Sequence, residues 1–135
     1  MRLVVCALLT VAAFVAQGVS AQGNPNKVDT ASAEFREDRA LRNMRNDLRN
    51  LVAAEETYFA DHARYTASLK ALAGGLESQG QPYPTPGDSM PRITLVGRGW
   101  TATIRNPNTR KVCAVFVGTK TPIPPATKEG SPACG

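Results

Sequence analysis

Residues 41–66, LRNMRNDLRNLVAAEETYFADHARYT, restrict the fold more than any other part of the chain. Leu41, Met44, Leu48, Leu51, Val52, Tyr58 and Phe59 recur in steps of three and four, which gathers them on one side of a 3.6-residue helix. A helix with one apolar side must bury it against another element. Segments with β-type alternation that could supply that surface come only after residue 90. The pattern therefore predicts an α+β fold: a long N-terminal helix packed on a small antiparallel β-meander.

Helix signals extend this stretch in both directions. Ser32 is the predicted N-cap, with Glu34, Glu37 and Asp38 in the opening turns where the helix dipole favours negative charge. Running from there to about Asp61, the helix would measure about 45 Å at 1.5 Å per residue, more than a domain of this size covers. Its first turns are expected to project. Phe35 falls on the polar side, so either the helix starts later or Phe35 meets a partner. Arg42, Arg45 and Arg49 share one flank of the stripe and form a candidate anion-binding face, for DNA or an acidic surface. The plainer reading is a solvated face, partly neutralised by an Asp38–Arg42 pair. Glu55 falls inside the apolar arc and is the candidate buried carboxylate; it needs backbone N–H donors from a covering loop or a nearby Arg. His62 closes the stripe as a cap or core contact. Tyr65 is expected to turn back onto Tyr58 or Phe59, and Ser68 to cap a short helix ending at Gly74 and Gly75.

Residues 1–21 read as a signal peptide: Arg2, an uncharged apolar run from Leu3 to Ala16, and a small-residue cleavage site at Val19-Ser20-Ala21. A retained membrane anchor is the alternative. Residues 22–31 read as a flexible lead-in and 32–135 as the globular domain. Cleavage removes only one charged residue, Arg2, and takes the net charge from +5 to +4, with no stable membrane span left in the chain. It also removes Cys6 and leaves Cys113 and Cys134, an even pair that suggests a disulfide in an exported chain; two buried thiols are the alternative. The chain is expected to be secreted, to the periplasm or beyond.

Residues 76–91 carry four prolines and read as an extended surface connector. Beyond them Ile93 and Leu95, then Trp100, Ala102 and Ile104, then Val112, Ala114 and Phe116 are read as the inward-facing residues of three strands. Leu48 and Phe59 are expected to touch Trp100, Ile104 or Phe116. The Pro- and Thr-rich tail after Gly118 is not expected to hold a central strand.

Taken in order, residues 47–72 and the later CAVFVG and EGSPAC segments resemble the globular domain of bacterial type IV pilin-like proteins (pilins and pseudopilins). The matching positions are Tyr58, Phe59, Asp61, Tyr65 and Thr66, and the late Cys113 and Cys134 resemble the family's C-terminal disulfide. The usual basic leader and apolar N-terminal stalk of that family have no counterpart here. The resemblance implies a structural, adhesive or filament-associated role, with protein partners through self-association or a pilus or surface component. In that family the disulfide-bounded segment tends to be a contact surface.

The residues point to no catalytic chemistry. Asp88 and Glu129 stand isolated in the sequence, the lone His62 has no Cys/His neighbours to form a metal site with, and no paired carboxylates, nucleophile motif or phosphate loop is present. A non-enzymatic protein without cofactor or metal is expected, with a soluble polyanion-binding module using the arginine flank as the alternative.

Overall fold

The computed structural model describes residues 25–77 and 82–135. Helix α1 spans Pro25–His62, α2 spans Leu69–Glu77, and four strands follow: β1 Arg92–Val96, β2 Gly99–Ile104, β3 Cys113–Val117 and β4 Ala133–Cys134. The strands form one antiparallel sheet in the order β1-β2-β3-β4. The architecture is α+β, with α1 laid on one sheet face and the tail clasped to the sheet. The residues read as an export signal lie outside the described region.

The helix opens at Pro25, so residues 25–31 are helical and the flexible lead-in expected there is corrected. Proline suits the first helical position because its missing N–H would have no intrahelical partner anyway. Nothing between Pro25 and Ser32 breaks the helix, and Ser32 lies within it rather than capping it. The helix ends at His62, where Ala63 takes φ 54° and donates its N–H to the Phe59 carbonyl at 2.7 Å. Ser68 caps α2 through Oγ, which accepts from Ala71 N at 3.3 Å. That helix runs through Gly74 and Gly75 to Glu77 instead of stopping at the glycines, and Gly75 lies against Ala54 of α1.

Leu41, Met44, Leu48, Leu51 and Ala54 of α1 pack with Leu72 and Leu76 of α2 and with Trp100, Ala102, Ile104, Cys113, Val115 and Val117 of the sheet. Leu48 shares this core with the predicted Trp100 and Ile104. Phe116 is elsewhere. The inward set on β3 is Cys113, Val115 and Val117, one residue out of phase with the Val112, Ala114 and Phe116 expected from sequence. Register explains the correction: Trp100 pairs with Val117, Ala102 with Val115 and Ile104 with Cys113, and directly opposed residues share a face. Ala114 and Phe116 face the other side, where Ala126, Ile123 and Ala133 cover them.

The sheet has a fourth strand that the meander lacked. Cys113 pairs with Cys134 and Ala114 with Ala133, and the Cys113–Cys134 disulfide joins one of those pairs. Val112 and Gly135 exchange backbone hydrogen bonds of 2.9 and 3.2 Å just beyond it. Gly130 donates to the Phe116 carbonyl, and the Glu129 carboxylate accepts from Gly118 N. Gly99 is dictated by close approach: a Cβ there would collide with the backbone of Val117 and Gly118.

Candidate functional site

Two polar clusters interrupt the apolar seam of α1, one at its C-terminal end and one at its middle. Glu55 is completely buried and its Oε2 accepts from the Thr66 backbone N–H at 3.1 Å. Its other oxygen is buried without a hydrogen-bond partner, as is the indole nitrogen of Trp100. Burial pushes the Glu55 carboxyl up to about 7; the Thr66 N–H opposes this and the neighbouring Glu56 charge adds to it. Glu55 therefore ties the turn after α1 back onto the helix. The covering loop supplies the donor, as the angular position of Glu55 implied.

The aromatic residues of the family-like motif assemble around this tie. Tyr65 folds back so that its ring lies 4.7 Å from Phe59 and edge-on to Trp100 at 6.3 Å. Its hydroxyl donates to Glu56 at 2.9 Å, and burial, with that hydrogen bond and charge adding to it, raises the phenol to about 12. Tyr58 stacks on His62 at 3.9 Å, and the His62 Nδ1 sits 3.0 Å from the Tyr58 carbonyl. Thr66 also accepts from Ser68 N through its hydroxyl, at 3.1 Å. Asp61 is exposed. The motif thus builds a helix stop and turn, with Asp61 left facing solvent.

The second cluster centres on Asp47, which sequence reasoning missed. Asp47 is 2% exposed, and its carboxylate accepts from both the backbone N–H and the hydroxyl of Thr85, at 2.7 and 2.8 Å. Tyr83 donates its hydroxyl to the Asp47 carbonyl at 3.4 Å, and burial beside the Asp47 charge pushes that phenol up. The proline-rich segment is therefore docked onto α1, not a free surface connector. Asp47 stands three residues after Met44 and four before Leu51, so the angular test that singled out Glu55 would have found it.

Asp88 belongs to the same cluster, which corrects its reading as isolated. Its Oδ1 accepts from the Asn106 amide, while its Oδ2 is buried without a partner. Burial pushes the Asp88 carboxyl up to about 6; the Asn106 amide opposes the shift and the nearby Asp47 adds to it. Asn106 in turn accepts from Asn108 N at 2.9 Å and so shapes the β2–β3 turn. The cluster locks helix, loop and turn together.

The arginine flank is present but spread on the surface. Arg42 and Arg49 are exposed and Arg45 is half-buried; Arg49 donates to Asn46 at 2.9 Å. Among the described residues none of the three pairs with a carboxylate, and the expected Asp38–Arg42 pair does not form. The ion pair that does form links Glu37 to Lys111 at 3.2 Å, and the Lys111 hydrogen bond, joined by one from Thr109, lowers the Glu37 carboxyl. A cleft of about 270 Å³, lined by Phe59, Ala63, Arg64, Tyr65, Leu95 and the β1–β2 turn, lies beside the helix end. Among the described residues no three His, Cys, Asp or Glu side chains gather where a metal could sit. No helix there is long and apolar enough to cross a membrane.

Comparison with protein-family models, with curated proteins and with solved structures found no match.

Proposed function

We propose that this chain is an exported, non-catalytic protein of the pilin-like kind, secreted to the periplasm or beyond, which works by assembly or surface contact. The observation that carries the reading is the projecting end of α1. From residue 29 to 36, about 12 Å of helix at 1.5 Å per residue, every side chain is exposed. Phe35 is 63% exposed on that segment. The helix starts earlier than predicted, so a late start no longer explains a large apolar residue in water. Of the two readings of Phe35 that the sequence offers, a protein partner covering it is the one that remains. The disulfide, the aromatic helix stop and the clasped tail support the same reading, since each matches a feature of the resemblance.

Sizing chromatography and electron microscopy of the exported protein test it. Concentration-dependent assemblies, or binding to a surface component, weakened by Phe35→Arg, are the expected result; a monomer that binds nothing overturns the reading. The absence of carboxylate partners for Arg42, Arg45 and Arg49 among the described residues favours a second reading, a polyanion-binding module. Under it DNA binding falls steeply with salt and disappears when all three are replaced by Ala.

A further inference from the structure

The two edges of the sheet are guarded very differently. At one edge β4 is two residues long, follows Pro132 and is held by the disulfide, so it offers little to an incoming strand. At the other edge β1 has five residues without proline or an inward charge, and its strand partner among the described residues is β2 alone. Three of the four large apolar side chains most exposed among the described residues lie on or beside it: Met90 at 64%, Leu95 at 49% and Val96 at 45%. An unprotected apolar strand edge is a template for another strand.

Register decides which backbone groups that edge presents. Gly97, with φ 60°, and Arg98 form a two-residue turn between Val96 and Gly99. In such a hairpin the flanking pair Val96–Gly99 exchanges hydrogen bonds, and alternate pairs, Thr94–Thr101 and Arg92–Thr103, do the same. Ile93 and Leu95 therefore turn their N–H and C=O groups outward.

We propose that β1 pairs antiparallel with β1 of a second copy, about a two-fold axis through Thr94, to give a continuous eight-stranded sheet. This register sets Ile93 opposite the second copy's Leu95, and Leu95 opposite its Ile93. Both are positions with outward backbone groups, so each pair exchanges two hydrogen bonds. Each pair is also apolar and covers the exposed Leu95. Arg92 falls opposite the second copy's Val96, so no like charges meet and the arginine stem lies over an exposed valine. Shifting the axis to Ile93 would set Leu95 against Pro91, which has no N–H to give; shifting it to Leu95 would run Ile93 into the Gly97 turn. The interface is self-complementary, as a two-fold contact requires. This deepens the assembly reading by naming the partner and the surface. It is separable from it, because assembly through the projecting helix does not require the two Thr94 residues to meet.

Cysteine cross-linking of the full chain, purified with its disulfide intact, tests the register. Thr94 lies on the axis in a non-hydrogen-bonded pair, where Cα atoms stand about 4.5 Å apart, within disulfide reach. Under mild oxidation Thr94→Cys is expected to give a dimer linked residue 94 to residue 94, identified by peptide mapping, while Val96→Cys gives little. Sedimentation of the unmodified chain is expected to show a reversible dimer whose dissociation constant rises at least about tenfold in Leu95→Lys. A chain that stays monomeric at the highest concentrations reached, or equal cross-linking from positions 94 and 96, overturns the proposal. Persistence of Phe35-dependent assemblies in either case would show that the assembly reading survives without this edge.

Discussion

Glu55→Gln keeps the hydrogen bond that this side chain makes and removes its charge. The amide oxygen can still accept from Thr66 N, and the amide nitrogen adds a donor where a carboxylate oxygen is unpartnered. Burial raises the wild-type carboxyl from 4.5 to about 7. Between those values the folded protein holds a proton that the unfolded chain has released, so the Glu55 contribution to stability is full near pH 4 and falls as pH rises to about 7, then levels. At 1.36 kcal/mol per pH unit the loss reaches on the order of 3 kcal/mol. Asp88 adds a loss of the same sign, confined to the range between its ordinary value of 3.8 and about 6. Asp88 titrates in both proteins, so the difference between their slopes over the window from pH 6 to 7.5 isolates Glu55. Urea denaturation across that window is expected to show wild-type stability falling and the Gln variant nearly flat, with the variant the more stable protein at pH 8. Equal slopes for the two proteins would refute the burial argument.

Leu48 is completely buried at the centre of the helix–sheet contact, so Leu48→Ala is expected to cost about 2–5 kcal/mol in chemical denaturation. Asp47→Ala strands the Thr85 N–H; about 1–3 kcal/mol should be lost, with faster proteolysis across residues 82–91. Ala63 occupies a left-handed helix stop that glycine adopts without strain, so Ala63→Gly is expected to raise stability by up to about 1 kcal/mol, read as a higher melting temperature.

What could be read from the chain alone follows the range over which each signal acts. The stripe from Leu41 to Phe59 is local and periodic, so the helix, its buried side and the position of Glu55 were all visible in it. The start of the helix was not, because the residues that follow Pro25 are too sparse in large apolar side chains to set the period of three and four that would mark its beginning. The phase of β3 was hidden for a different reason. All five residues of CAVFV are buried, by α1 on one face and by the tail on the other, so no alternation exists to show which side faces the helix. β4 depends on pairing across the disulfide, and two residues after a proline carry no strand signal of their own. The Asp47 cluster joins α1 to a loop 38 residues away. Its helix half could be found by angle, but its Thr85 and Asp88 half required the tertiary structure.

The proposed role requires export, and the fold requires the tail to be clasped to the sheet by the Cys113–Cys134 disulfide. Non-reducing peptide mapping of the chain recovered from fractionated cells tests that most directly. The prediction is recovery in the exported fraction, an N-terminus at Gln22, and one cross-linked peptide pair joining Cys113 to Cys134. A chain retained in the cytoplasm, still beginning at Met1 and with free thiols at both positions, would contradict it.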